Sequence, residues 1–421
     1  MQSHPIQESR FSKAFEALWK EIFSSPVHLD SALSKQPKDL KPLLAQVIYP
    51  LLLRPISLAK LVDVPTSKGE PWSLSGPKLA DWPRAREIAV RYFKKLRTGE
   101  SLSDSEFCEQ DFPPYLVEEW KKSWGAAKSK ELMETLCTEP PLFLRVNRKF
   151  DRASVLQEFD GSPAQDVGVR ETALSPLGIH FERYASVLKS ASYEKGAFEI
   201  QDEGSQCMAL FSLWPELFSK ILSDSPSKSG AAFSVTLPKD PPAWNVVDAC
   251  AGAGGKSLAI ADALLGKGRV YAYDVAARKL EALRKRAKRS GLNNIQTVAL
   301  EQGKEAETVR RFRRRAQVVL VDAPCTGWGV LRRNPDLKWR QDSDTLQRMP
   351  VLQKELLQVY SDLVAPGGRL VFGVCTFRKA ETQDVAEEFT KANADFERGS
   401  GGYLGPGPTD GFYMQVWTRK A

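Results

Sequence analysis

The stretch "DACAGAGGKS", Asp248 to Ser257, has the glycine density of a phosphate-gripping loop, but counting decides against one. A P-loop ending in Gly255-Lys256-Ser257 needs its first glycine at the position held by Cys250, and a dinucleotide fingerprint begun at Gly252 and Gly254 needs a third glycine where Ser257 stands. What remains is context. "AWNVV" before the loop is a short apolar run ending in Asp248, and "KSLAIADALLG" after it has helical spacing and a glycine stop, so the segment reads as strand, glycine turn, helix. About twenty residues further on, "GRVYAYDV" supplies a second strand ending in Asp274, where a doubly wound sheet places the acid that holds ribose hydroxyls. Such a loop suits a nucleoside cofactor without a pyrophosphate, and S-adenosylmethionine is the candidate. The expected contacts are Cys250, Ala251, Gly252, Ala253, Gly254, Gly255, Lys256, Asp274 and Asp322.

Outward from the loop, strands and helices alternate from residue 244 to the end: "NVVDAC", "RVYAYDV", "NIQTVAL", "AQVVLVDAP" and "GGRLVFGVCT", closed by a hairpin ending in "DGFYMQVWTR". That alternation predicts a parallel sheet with helices on both faces over residues 244–421. Residues 139–243 read as a small α+β domain and linker. A strand is expected at "EPPLFLRVNRKF", and the Ser-, Pro- and Gly-rich stretch 223–243 is expected to loop between domains. Residues 1–138 read as a helical domain, with patterned segments "SRFSKAFEALWKEIF", "KLADWPRAREIAVRYFKKLRTG" and "PYLVEEWKKSWG".

The fourth strand of the C-terminal domain runs into "VDAPCTGWG" and the fifth into "GVCTF". Ligands of open α/β sheets sit beyond the carboxyl ends of strands, so Asp322, Cys325 and Cys375 are expected to face the same crevice as the glycine loop. Two thiols and a carboxylate around a methyl donor suit methylation at carbon 5 of a pyrimidine. That carbon is too electron-poor to attack a sulfonium unaided, and a thiolate adding at carbon 6 makes it nucleophilic. Asp322 can accept from the exocyclic amine of cytosine, or donate to the ring nitrogen when protonated, and Lys256 can lower a cysteine pKa or polarise the base. The residues alone leave open which thiol attacks.

The stretches "QDEGSQ" (201–206), "DACAGAGGK" (248–256), "DAPCTGWGVLRRNPDLKWR" (322–340), "GGRLVFGVCT" (367–376) and "DGFY" (410–413) resemble the RsmB/NOP RNA cytosine-5 methyltransferases, in family order across residues 139–421. The resemblance implies a Rossmann-like class I methyltransferase domain, with Cys375 as nucleophile and Cys325 as the cysteine that helps release product. The helical leader is similar to the NusB-like domain that precedes bacterial small-subunit rRNA members. The fold class expected is therefore an α/β methyltransferase domain, a small α+β domain before it and an all-α NusB-like N-terminal domain, and the expected partner is RNA, 16S rRNA above all. The chain departs from the family pattern in Gly252-Ala253 of the loop, in Phe372-Gly373-Val374 before Cys375, and in Lys304, where an Asp for the adenine amine is expected and Glu301 or Glu305 would substitute. A tRNA enzyme of the same chemistry and a non-catalytic rRNA assembly factor are the rival readings.

Composition agrees with a nucleic-acid partner. Across 421 residues the net charge is +8, with basic runs at 278–290, 310–315 and 332–340. The last run reads as RNA contacts or a loop anchor, and Trp339 as a base-stacking or a core residue. Six scattered cysteines without a C-x-x-C pair, and three histidines, argue against a zinc site. The first residues have no signal-peptide pattern, and the apolar stretch "LLAQVIYPLLL" is short and broken by Pro50, so a cytoplasmic monomer free of membrane and metal is expected.

Overall fold

The computed structural model describes residues 8–24, 28–64, 82–97, 109–160, 168–182, 186–226, 235–301, 309 and 312–421. The chain divides into two compact units, residues 1–140 with 330–346, and residues 141–329 with 347–421.

The first unit is helical. Glu8–Ser24 buries Phe11, Phe15, Leu18, Trp19 and Ile22, the spacing of one apolar face. Lys41–Leu53, which contains the apolar stretch, is buried along Leu44, Val47, Ile48, Leu51 and Leu52, and Pro55 opens the next helix, Pro55–Leu61. No single helix among the described residues is long and apolar enough to cross a membrane. Trp82–Arg97 closes this core, with Phe93 stacked on Phe11 at 4.3 Å between ring centroids. The core also takes in Trp339, from the short helix Leu337–Arg340 of the 330–346 segment. Pro114–Trp124 and Ala126–Leu136 follow as an antiparallel pair about Gly125, whose φ of +78° suits glycine alone.

The second unit holds two sheets. The small one is antiparallel, in the order β2-β3-β1-β4, built from β1 (Leu142–Val146), β2 (Val169–Glu171), β3 (Gly178–Phe181) and β4 (Phe198–Ile200). Helices Arg152–Gln157 and Ala191–Glu194 fall after β1 and before β4, a β-α-β-β-α-β order with a ferredoxin-like sheet. Leu144 and Val146 of β1 enter the apolar core beneath it. Arg145 points the other way, into the large sheet's domain.

The large sheet runs β10-β11-β9-β8-β5-β6-β7. Its strands are β5 (Trp244–Asp248), β6 (Gly268–Asp274), β7 (Ile295–Ala299), β8 (Ala316–Asp322), β9 (Val364–Val374), β10 (Phe396–Leu404) and β11 (Phe412–Arg419). The first five are parallel, and β11 pairs antiparallel with β9 and β10. The strand order reverses between β5 and β8, and open α/β sheets take their ligands at the carboxyl ends of the strands at such a switch point. Residues 235–243 of the connecting stretch carry no helix or strand.

Candidate functional site

The glycine loop leaves β5 at Asp248 and turns into the helix Gly255–Ala263. Gly252 and Gly254 have φ of +55° and +86°, a region costly for any residue with a Cβ. The two glycines answer different needs. A Cβ on Gly254 would collide with Leu283, whereas a Cβ on Gly252 would meet nothing within 4 Å. Gly252 thus borders open space, the place for a ligand to approach backbone.

Asp274, at the end of β6, accepts from the Gly252 amide and the Ala276 amide, each at 2.7 Å. It clamps the glycine loop to the neighbouring strand and caps the turn into the helix Ala277–Arg289. Val275, next in sequence, is 52 % exposed. Asp248 is fully buried; its Oδ2 accepts from Ser257 at 2.6 Å, its Oδ1 has no hydrogen-bond partner, and burial pushes its carboxyl up to about 7. Cys250 and Gly255 are half-buried, Ala251 and Gly254 buried, and Ala253 exposed, its carbonyl accepting from Arg286. Lys304 and Glu305 lie outside the described residues; Glu301 is exposed.

On the other side of the switch point, Lys256 Nζ donates to Asp322 Oδ2 at 2.6 Å, both side chains largely shielded from water. Burial works against the ammonium, but Asp322 and then Cys375 outweigh it, and the Lys256 pKa rises. Cys325 and Cys375, after β8 and β9, face each other with their sulfurs 3.4 Å apart. The bond to Cys375 and burial push the Cys325 thiol well up, so it keeps its proton at neutral pH. Lys256, Asp322, Cys325 and Cys375 form one cluster, and the Asp274–Gly252 contact lies at the end of β6. Among the described residues no group of three or more His, Cys, Asp or Glu could hold a metal ion. Cys137 and Cys207 are buried; Cys108 lies outside the described residues.

Sequence reasoning missed the framework under the thiols. Each cysteine is followed by a threonine, and Thr326 and Thr376 share a hydrogen bond at 2.9 Å between buried hydroxyls. Glu381, wholly buried, accepts from the Thr326 amide at 2.9 Å and from Gln353 at 3.0 Å, and Gln353 also donates to the Pro324 carbonyl at 2.8 Å. Gly329 donates to the Cys375 carbonyl and accepts from Gly411, at a closeness no Cβ on Gly329 would permit. The repeated Cys-Thr was the available sequence signal.

The other recognised stretches are structural. Asp202 caps the helix Glu203–Leu213 through Gly204, and it receives Thr409 at 2.6 Å and the Asp410 amide at 3.2 Å. Glu203 accepts the Leu174 and Ser175 amides. The basic runs divide. Arg286 and Arg289 of the first pair with Glu199 of β4, while Lys285 stays on the surface with Glu281. The third is an anchor: Arg332 is buried, Lys338 donates to the Leu53 and Asp111 carbonyls at 2.6 and 2.8 Å, and Trp339 donates to Leu52 at 2.6 Å. Of the two readings of Trp339, core is the one realised.

Residues 235–404 match the family model described as 16S rRNA methyltransferase RsmB/F, and residues 112–188 the one described as an RsmF/B-like ferredoxin-like domain. The chain belongs to the RsmB/F methyltransferase family. A Bacillus subtilis protein named probable ribosomal RNA small subunit methyltransferase B is 31 % identical over 299 residues, covering 69 % of this chain and 58 % of the relative's length. Solved structures share the fold. The protein PH0851 is similar over 98 % of this chain and 99 % of its own, with a TM-score of 0.69 at 19 % identity. NSun6 from Pyrococcus horikoshii with SFG is similar over 74 % and 99 %, with a TM-score of 0.60 at 17 % identity.

Proposed function

We propose that the protein is an S-adenosylmethionine-dependent RNA cytosine-5 methyltransferase acting on small-subunit rRNA, with a NusB-like helical unit that helps select the RNA. The observation that carries this reading is the pair of thiols 3.4 Å apart beside Lys256–Asp322 at the switch point. The crevice fits the cofactor: Gly252 leaves space against backbone, Asp274 has lone pairs for ribose hydroxyls beyond those given to two amides, and Val275 offers an apolar surface for a flat ring. When bound, the cofactor supplies an electrophilic methyl group. Kinship with proteins named small subunit methyltransferase B favours rRNA as the substrate.

The residues divide the work by their environments. Cys325 is held as a thiol by its contact with Cys375 and by burial, and the family resemblance of the two cysteine motifs assigns the attack to Cys375, which lies beside Lys256. Its sulfur bonds to cytosine carbon 6, and the displaced π electrons make carbon 5 nucleophilic. Asp322 fixes the base through its amine or ring nitrogen. After carbon 5 has taken the methyl group, its proton passes to solvent, the C–H electron pair re-forms the ring double bond and the Cys375 sulfur leaves carbon 6 as a thiolate, which the Cys325 thiol, 3.4 Å away, stabilises by donating a hydrogen bond.

Denaturing gels with unmodified 16S rRNA transcript and labelled cofactor test the scheme. Cys375→Ala should give neither methylation nor an RNA adduct and still bind cofactor, whereas Cys325→Ala should accumulate a slow-migrating covalent band that the double variant lacks. The opposite pattern would make Cys325 the nucleophile. Failure of every form to label RNA, with S-adenosylmethionine unbound, would leave a non-catalytic RNA-binding protein.

A further inference from the structure

Cys325 does not sit on a strand. It stands in a turn after β8, and the position of its sulfur depends on what holds residues 324–326. Three side-chain bonds do so. The Glu381 carboxylate receives the Thr326 amide, Gln353 joins that same carboxylate oxygen to the Pro324 carbonyl, and Thr376 ties the Thr326 hydroxyl to the residue after the nucleophile. Glu381 and Gln353 are fully buried. The hydrogen bonds of both go to the turn and to each other, not to a sulfur, and the Arg378 guanidinium is 3.8 Å from the Glu381 carboxylate. A wholly buried carboxylate spent on one turn's backbone is expensive unless the turn's position matters.

We infer that Glu381 is a positioning residue for product release: it holds the 324–326 turn so that Cys325 stays at contact distance from Cys375, and Gln353 braces it. The inference rests on the roles given to the two cysteines under Proposed function. Formation of the adduct needs Asp322 at the end of β8, Cys375 just after β9 and Lys256 on the loop helix, which are held by the Lys256–Asp322 pair and by the Gly329 amide on the Cys375 carbonyl. Resolution needs Cys325 in place. Loosening the turn therefore slows the second step and spares the first.

The test compares Glu381→Ala, Glu381→Gln, Gln353→Leu and Cys325→Ala in the full chain, with 16S rRNA transcript and labelled cofactor. Initial methyl transfer, adduct lifetime and cofactor affinity are followed separately. Glu381→Ala and Gln353→Leu should lengthen adduct lifetime about tenfold or more, the scale of one lost hydrogen bond to a charged group, with methyl transfer and cofactor affinity near those of the parent. Glu381→Gln, whose amide oxygen can accept both bonds, should restore release. If Glu381→Ala is recovered unfolded, Gln353→Leu and Glu381→Gln carry the comparison. A purely structural role predicts that transfer, release and cofactor affinity fall together, and that outcome overturns the inference. So does an unchanged lifetime in both Glu381→Ala and Gln353→Leu while Cys325→Ala accumulates adduct. Absence of adduct in Cys325→Ala itself would instead overturn the cysteine roles beneath it, and the inference with them.

Discussion

Two glycines two residues apart show how one motif can contain separable requirements. Gly254→Ala drives a methyl into Leu283, a core side chain, and should lower stability on top of a left-handed strain of about 1–2 kcal/mol. Gly252→Ala pays the same backbone strain but meets no protein atom. Its methyl instead enters the space assigned to the cofactor. Calorimetry with S-adenosylmethionine should therefore find Gly252→Ala folded and weakened in binding by about tenfold or more, whereas Gly254→Ala should lose several degrees of melting temperature. Equal binding in Gly252→Ala and the parent would move the cofactor off this loop. The glycine positions were legible in the sequence because a turn's need for positive φ leaves a mark in residue type. Which glycine faces a ligand was not, since that depends on Leu283 arriving from another helix.

Elements were readable where a period exists. The alternation of apolar strands and helices after residue 244 identified β5 to β9 and the closing hairpin, and the apolar face of Glu8–Ser24 identified the first helix. The alternation in "LFLRVN" gave β1 but said nothing of what its polar face meets. In the fold Arg145, fully buried, reaches Asp262 at 3.2 Å, Asn147 at 3.0 Å and Gln201 at 2.9 Å, and so sews the small sheet to the helix Gly255–Ala263. Such a pair has no signature in spacing, because its members are joined only by tertiary packing. Replacing Arg145 by Met leaves the Asp262 carboxylate buried without its cation and should cost about 3–5 kcal/mol, as should Asp262→Ala for the converse reason. The double variant should cost clearly less than the two singles added, by about 1 kcal/mol or more in denaturant unfolding. Additive costs would mean that the pair is not coupled. Glu381 was illegible for the same reason as Arg145: its partners are backbone atoms of a turn distant in sequence.

At the scale of the whole chain, the feature with the widest reach is the excursion at 330–346, which leaves the catalytic unit right after Gly329 and packs into the core of the first helices. Its Lys338 is buried under two carbonyls and over the Phe112 ring at 4.1 Å, and burial brings the ammonium down to about 8. An unfolded lysine keeps its proton to the ordinary value of 10.5. Between about pH 8 and 10.5 the unfolded chain therefore holds more protons, and this residue's contribution to stability rises with pH; below 8 its desolvation cost is carried in full. The neutral amine still has two hydrogens for the two carbonyls. Relative to Lys338→Met, the parent's melting temperature should climb as pH goes from 8 to 10, and a flat difference would show that the lysine titrates as it does in water. The excursion also sets an order of events during synthesis. Lys338 and Trp339 emerge roughly 200 residues after the last of the first unit's helices, which at about 5–20 residues per second is a wait of roughly 10–40 s. Through that interval the first helices stand on the ribosome with an unfilled slot where an indole belongs, a nascent surface that chaperones would read as unfinished until the segment after Gly329 threads in.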